Sequence, residues 1–381
     1  MSFRPLRHAL ACAAPIVLAS CAQYERRPVD TARDQALFLA RTPESVLAAA
    51  PAPHAHAPFD LSDGCSLREA EAIALVMNPS LRVARAKLGV LEATAAESGR
   101  WSDPTIAADV TRVLDAVAEP WKLATSISFT LPISGRLAAE RERAGAERDA
   151  EVLRVHAAEW TIRISVRRAW NERTAASLRR RELADAIRRE DEMAAIAARL
   201  ESAGEIGRIE SRLFRIDAAA KREQLLAAEA AHADLEFELR SILGLPPRAA
   251  IAFDGELPPE RGESADSLRA GLLDGNPDIA VARAEHEIAE RRLALEIRRQ
   301  YPDLTVGPGY GREEGADQFL LGLSLPLPIL NANRQAIAEA DASRTLAATA
   351  LTALIEERTT DLERSIERHD AALRRQRLVA D

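Results

Sequence analysis

The chain has 381 residues and a formal net charge of −8, with 47% apolar, 29% charged and only 4% aromatic residues. The length allows two or three ordinary domains, and an alanine- and leucine-rich, aromatic-poor composition is that of long helical assemblies. Acidic and basic residues are interleaved with no basic stripe, which argues against nucleic acid as a partner.

The first element is a leader. Arg4, Arg7 and His8 precede a short apolar stretch, Ala9 to Leu18, too short to cross a bilayer as a helix. It ends in "LASC", with Cys21 directly after small residues, a pattern that resembles a bacterial lipobox. This predicts a signal peptide over residues 1–20, after which Cys21 becomes the first residue and carries lipid. Ala22, where an aspartate would retain a Gram-negative lipoprotein at the inner membrane, permits delivery to the outer membrane. Residues 21–64 read as a lipid-anchored linker. Cys12 lies in the leader and Cys21 takes lipid, so Cys65 is left alone and forms no internal disulfide. "PHAHAP" places His54 and His56 near Cys65, but such residues in a Pro/Ala-rich linker are more often incidental than a metal site, and no metal is expected. No apolar run reaches 18 residues, so no transmembrane helix is expected.

Past the linker the chain repeats itself. The stretches beginning at Glu71 and at Ala270 each hold a short helix, an Asn-Pro break (Asn78-Pro79, Asn276-Pro277), a helix of about 22 residues and a proline (Pro104, Pro302) opening an alternating strand. The landmarks recur at an offset of 198 residues. A repeat of this length is one supersecondary unit used twice. The first unit is placed at 65–246, a linker at 247–264 and the second unit at 265–381. Strands are expected at about Thr105–Val113, Trp121–Leu131, Asp303–Tyr310 and Gln318–Leu327. In the last, Phe319, Leu321, Leu323, Leu325 and Leu327 share one face, while Gly322 and Ser324 point the other way. Strands of roughly 8–11 residues suit a tilted bilayer crossing. The apolar face then meets lipid and the Ser/Thr/Gly face meets water. Four strands close no barrel, but three copies supply twelve. A soluble sandwich would need more strands at regular spacing.

The helices are too long for a globular domain. From Arg136 to Leu200 there is no proline and one glycine, Gly145, a helix of ~98 Å at ~1.5 Å per residue. A turn at "SAGEIG" leads to a second helix over about Ile206–Leu243, with Leu225, Leu226, Leu235, Leu239 and Leu243 as its apolar residues. The helix after Asn78-Pro79 and this returning helix together nearly match the long one. Two short helices stacked end to end therefore lie alongside one long helix, as in a tube wall.

This order of lipobox, Asn-Pro-headed helices, paired alternating strands, long hairpin and repetition resembles the bacterial outer-membrane efflux protein family, the TolC-like channels. "GEIGRIE" is similar to that family's periplasmic hairpin tip, with Gly207 where serine is common. "LSLPLPILNANRQAIAEADA" is similar to the strand-to-helix passage of the heavy-metal efflux branch. The resemblance covers about residues 65–381. It implies a mainly α fold with a small membrane β part: a homotrimer with a 12-stranded barrel in outer-membrane lipid, continued by a helical tunnel into the periplasm. It also implies a periplasmic adaptor and an inner-membrane pump as partners, and the export of metal ions or small toxic solutes. The tip residues Gly204, Glu205, Ile206, Gly207 and Arg208 are the candidate adaptor contact; for Glu205 and Arg208 a solvated turn is the plain alternative. The second unit departs from the pattern. Only 54 residues follow Leu327, against about 115 between Leu131 and Pro246, so its hairpin is expected to lack the tip and the returning helix. The apolar stripe Leu351, Ile355, Leu362, Ile366 and Leu373 of its last helix is then expected to stay partly exposed. A truncated, non-conducting structural lipoprotein and a periplasmic adaptor are the alternative readings; an adaptor would need β-domains flanking its hairpin.

No catalytic constellation stands out, and neither enzyme activity nor a cofactor is expected. "GPGYG", Gly307 to Gly311, lacks the lysine and the following helix of a phosphate loop and fits a strand. His156, His232, His286 and His369 sit singly in helical stretches and read as solvated. Trp101 and Trp121 flank strands and fit either an aromatic girdle or ordinary burial.

Overall fold

The computed structural model describes residues 24–43, 61–114, 121–255, 264–313 and 316–380. The chain divides into two units, Met1–Arg41 and Thr42–Asp381. In the first, α1 (Thr31–Leu39) is capped by Asp30, whose carboxylate accepts from the Arg33 N–H at 3.0 Å; the helix buries no residue. Cys21, His54 and His56 lie outside the described residues.

The second unit runs α2 (Leu67–Met77), α3 (Pro79–Glu97), β1 (Thr105–Arg112), β2 (Trp121–Leu131), α4 (Arg136–Ser202), α5 (Arg208–Ile242), α6 (Ala265–Gly275), α7 (Pro277–Arg298), β3 (Leu304–Glu313), β4 (Ala316–Ser324) and α8 (Arg334–Ala380). The Asn-Pro breaks are helix starts. Asn78 Oδ1 accepts from the Ser80 and Leu81 N–H groups at 2.9 and 3.2 Å. Asn276 does the same for Asp278 and Ile279 at the same two distances. Proline at the first helical position loses a donor that would have had no partner, so Asn-Pro both ends one helix and opens the next.

α4 has 67 residues, ~100 Å at ~1.5 Å per residue. It starts after Gly135, whose φ of 75° is left-handed. Arg136–Glu140, Arg143–Glu147 and Arg168–Glu172 support it as i,i+4 ion pairs. Its middle carries a single buried stripe of Val166, Ala169, Trp170, Arg173, Thr174 and Ser177, spaced at three and four residues as a helix face requires. α2, α4, the end of α5 and the segment after it meet there, around Cys65, Ile73, Val166, Trp170, Leu239, Leu243, Leu245 and Phe253. Trp170 and Phe253 pack edge to face, 6.0 Å between centroids. Arg173 and Arg240 lie over the same Phe253 ring at 5.4 and 5.6 Å.

The expected end-to-end stack is present. α3 (19 residues) and α5 (35 residues) both pack along α4. At their junction Asn78 Nδ2 donates to the Ile242 carbonyl at 2.8 Å. One asparagine thus caps the start of α3 and takes an end carbonyl of α5. Gly244 allows the approach: its φ is +69°, and a Cβ there would lie 2.3 Å from the Met77 carbonyl oxygen. Leu239 and Leu243 are fully buried, whereas Leu226 is exposed, so the α5 stripe is used toward its C-terminal end.

α8 packs along α7 and also touches α6. Arg269 of α6 grips Glu363 of α8 in a two-point bond, Nε–Oε1 2.7 Å and Nη2–Oε2 2.8 Å. Arg358 of α8 reaches Asp278 at the start of α7, 3.2 Å away. Leu351, Ile355, Leu362, Ile366 and Leu373 are half-buried. The stripe is thus partly exposed, as expected, and the short α6 accompanies α8 at Glu363, a contact the sequence does not state.

The four strands form one antiparallel sheet in the order β1-β2-β3-β4. β2 and β3, one from each repeat, pair at the centre. β1 and β4 are the edges.

Candidate functional site: a two-faced sheet and a hairpin tip

Cross-strand partners share a face, so the register assigns every side chain. Ile106, Ala108 and Val110 of β1 stand with Leu123, Thr125, Ile127 and Phe129 of β2, with Val306 and Tyr310 of β3, and with Phe319, Leu321 and Leu323 of β4. This face is exposed: Ile106 and Phe319 are each 78% accessible and Leu323 is 67%. Nothing among the described residues covers it. The other face carries Thr105, Ala107 and Asp109, then Lys122, Ala124, Ser126, Ser128 and Thr130, then Thr305, Gly307, Gly309 and Gly311. Lys122 pairs with Glu313 there, and the Thr130 and Thr305 hydroxyls lie 3.3 Å apart.

The glycines of "GPGYG" have a packing reason. A Cβ on Gly309 would fall 2.7 Å from the Thr125 carbonyl oxygen, and one on Gly311 3.2 Å from Leu320 Cδ1. Side chains on that face are removed where β3 runs closest to its neighbours. β2, with 11 residues, is ~36 Å long at ~3.3 Å per residue. Tilted by about 45°, it spans ~25 Å, the height of an outer-membrane barrel's apolar band. At one end of the sheet Trp121 is exposed, with the Arg112 guanidinium 5.5 Å over its ring. Trp101 and Tyr301, which precede β1 and β3, are exposed as well, so burial within the chain does not account for either tryptophan.

The turns from sheet to helix are polar. Arg136 Nε donates to Asp303 Oδ2 at 2.6 Å, and the Ser134 hydroxyl donates to Asp303 Oδ1 at 3.2 Å. The bond to Asp303 raises Arg136 above the usual arginine range against the opposing cost of burial. At the matching passage before α8, Asn333 takes a left-handed φ of 57° and its side chain donates to the Glu296 carbonyl at 2.8 Å. Asparagine tolerates that conformation.

The hairpin tip is where the sequence places it. Gly204 to Gly207 form the turn between α4 and α5, with Gly204 at φ +79°. Glu205 and Arg208 are exposed, as is Ile209. Gly207 has no side chain to cap α5; instead the Glu210 carboxylate accepts its N–H at 2.9 Å, half of a capping box. Just inside the turn, Met193, Ile196, Leu200, Ile206, Leu213 and Phe214 line an open apolar groove of about 570 Å³.

Other candidate residues are structural. Cys65 is fully buried beside Phe253, its N–H bonded to the Ala252 carbonyl at 2.7 Å. Burial, with Glu69 nearby, pushes its thiol up to about 12. Among the described residues no cluster of histidine, cysteine or carboxylate could hold a metal ion. Among them, too, no helix is long and apolar enough to cross a membrane. His232 departs from its expected solvation: it is buried in α5, and burial holds it below the usual histidine range.

No family model matches the sequence. A 151-residue stretch is 29% identical to the cobalt-zinc-cadmium resistance protein CzcC of Cupriavidus metallidurans, covering 38% of this chain and 36% of that protein. The sequence match therefore spans little more than a third of the relative's length. Three-dimensional matches are longer. The outer membrane protein VceC of Vibrio cholerae superposes with a TM-score of 0.63 at 20% identity, over 76% of this chain and 75% of that one. CusC, described for its transmembrane channel formation, gives 0.61 at 15% over 93% and 85%. The CmeC outer membrane channel of Campylobacter jejuni gives 0.61 at 13% over 88% and 76%. The chain therefore has the fold of the TolC-like outer-membrane efflux channels, and its sequence match falls on their heavy-metal-resistance branch.

Proposed function

We propose that this chain is the outer-membrane channel component of a tripartite efflux system, a passive exit duct for metal ions or small toxic solutes. The observation that carries the reading is the two-faced sheet: an exposed apolar face, a face of Ser, Thr, Gly and Ala, and two open edges. In water such a sheet is an aggregation hazard. In a bilayer its apolar face is solvated by lipid, and its edges must pair, because hydrocarbon offers backbone groups no partner. Three copies supply twelve strands and a closed barrel with a polar lumen.

The stacked helices α3, α5 and α4 form the wall below the barrel, in the periplasm. Direction and energy come from partners, an inner-membrane pump reached through a periplasmic adaptor that docks at Gly204–Arg208. Cys21 carries the lipid that holds the N-terminus at the outer membrane. The match to a cobalt-zinc-cadmium resistance protein favours metal ions as cargo.

The test is reconstitution of the purified full-length protein in planar bilayers. Stepwise conductance, together with outer-membrane fractionation in a Gram-negative host, is the expected result. A protein that folds and fractionates there without conducting overturns the channel reading. Labelling with radioactive palmitate tests the anchor separately: label is expected on the wild type and lost in Cys21→Ala, and equal label in both removes the anchor.

A further inference from the structure

The outward face of the sheet is charged at one end only. Its side chains from Ile106 to Val110 on β1, Leu123 to Leu131 on β2, Leu304 to Tyr310 on β3 and Phe319 to Leu323 on β4 are all uncharged. Arg112, Arg312 and Asp317 complete this face, and all three stand at the end where β1 turns to β2 and β3 turns to β4. The helices α3, α4, α7 and α8 attach at the opposite end.

The two arginines are copies of each other. They lie 200 residues apart, the offset that also links Asp103 with Asp303 and Thr105 with Thr305. Each stands beside an aromatic ring of its own face. The Arg112 guanidinium lies 5.5 Å over the Trp121 ring, and Arg312 follows Tyr310 at the next same-face position of β3. The one acid on this face is already engaged: Asp317 Oδ1 accepts from the Tyr310 hydroxyl at 2.6 Å. At the same height on the polar face, Lys122 has a carboxylate, that of Glu313. Arg112 and Arg312 are exposed, and neither joins an ion pair among the described residues. Arg112 faces Trp121 and Arg312 faces Leu123. They are thus two strands apart across the sheet and two residues apart along it, about 12 Å at ~4.8 Å per strand and ~3.3 Å per residue.

We propose that Arg112 and Arg312 hold the phosphate groups of a phosphorylated glycolipid in the outer leaflet of the outer membrane. This rests on the channel reading, which puts the helices in the periplasm and therefore the arginine end of the sheet at the outer leaflet. A guanidinium presents N–H donors in a rigid fork that matches phosphate, and it stacks on an aromatic face with those donors still free. Trp121 therefore positions Arg112 without using up its hydrogen bonds. Directly below, Val110, Leu123 and Phe319 begin the apolar face, so one lipid molecule meets both: its phosphates at the arginines, its acyl chains along the strands. The charge fits as well. Two cations on an outward rim, with their one acidic neighbour bonded to a tyrosine, call for anions from outside the chain.

The experiment reconstitutes the full-length protein in phosphatidylcholine vesicles containing diphosphorylated lipid A and counts the lipid A retained after gentle detergent extraction, by native mass spectrometry. Conductance of the same preparations in planar bilayers reports assembly. The wild type is expected to retain at least fivefold more diphosphorylated lipid A than lipid A stripped of both phosphates. Arg112→Gln with Arg312→Gln should lose that excess while conducting normally. Lys122→Gln removes a charge at the same height from the polar face and should retain lipid A like the wild type. Equal retention of the two lipids by the wild type means that acyl chains alone are held, and it overturns the proposal. Full retention by the conducting double variant overturns it too, as does an equal loss in Lys122→Gln. Where the double variant does not assemble, Arg112→Gln and Arg312→Gln decide singly: each should lose at least twofold, and no loss in either overturns the site. A wild-type protein that retains phosphorylated lipid A but never conducts fails the channel reading alone.

Discussion

The sheet and the helical core treat apolar side chains in opposite ways. Around Trp170 the apolar groups of α2, α4 and α5 are turned inward and nearly dry, and the polar groups that accompany them, Arg173 and Arg240, are stacked on Phe253 and bonded to Glu236. In the sheet the apolar groups are turned outward, and the small polar ones face their own kind across the strands. Both regions obey the same rule, that apolar surface leaves water. They differ in what receives it: protein in one case, hydrocarbon in the other. The periodicity that finds a face therefore does not say what covers it. For the sheet, the proposed channel function makes lipid the cover.

The largest effect is expected where protein is the receiver. Trp170 is 1% accessible and holds the centre of the core. Trp170→Ala should cost about 3–5 kcal/mol, read as a lowered unfolding midpoint of the helical part in detergent. A loss below about 1 kcal/mol would mean that the site collapses freely and is no close-packed core.

Next comes the lipid-facing parity. Ile127→Arg should cost about 2–4 kcal/mol near the bilayer midplane, and Leu321→Arg should behave alike. Ser126→Arg faces the lumen and should assemble nearly normally while altering conductance. The measurement is the yield of membrane-inserted, heat-resistant oligomer for each variant. If both parities fail equally, the outward face does not meet lipid and the contrast with the core disappears.

Most of this architecture is legible in the sequence because its signals are local and strong. The Asn-Pro pairs mark helix starts with their own caps, the prolines at 104 and 302 announce the strands that follow, and the alternation of Leu123, Ile127 and Phe129 fixes a face. What the sequence does not disclose is contact across long separations. The Asn78–Ile242 bond joins residues 164 apart. The Arg269–Glu363 bond needs α6 to lie along α8, which no periodicity states. His232 reads as one more polar residue on a charged helix until α4 packs over it. The offset of 200 linking Asp103 to Asp303 was present in the sequence but hidden beside the 198 of the Asn-Pro landmarks.

The two Asn-Pro breaks give a smaller and sharper contrast. Asn276→Ala removes a cap, at about 1 kcal/mol. Asn78→Ala removes the same cap and also leaves the Ile242 carbonyl without its side-chain donor, for about 1 kcal/mol more. Denaturant midpoints of the two variants should differ by that amount, with Asn78→Ala the weaker. Equal losses would mean that the junction of α3 and α5 contributes nothing beyond the helix start.

The smallest effect is a pH dependence of the same wall. His232 is buried in α5, with Glu236 Oε1 4.0 Å from its Nε2. Burial lowers its proton affinity first; the Glu236 charge opposes that, and Arg180 and Arg173 reinforce it. Burial raises Glu236, but the bonds from Arg173 and Arg240 outweigh it and hold that carboxylate below its usual range, so it stays ionised at mild acidity. Between the lowered folded value of His232 and the ordinary unfolded value of about 6.5, the unfolded chain holds the proton and the folded chain does not. Stability is therefore full above that window and falls as the pH drops through it. The thermal midpoint of the helical part should decline between pH 7.5 and pH 5.5, and His232→Gln, which cannot titrate, should flatten the decline. An equal decline in both proteins would place the acid sensitivity elsewhere in the chain.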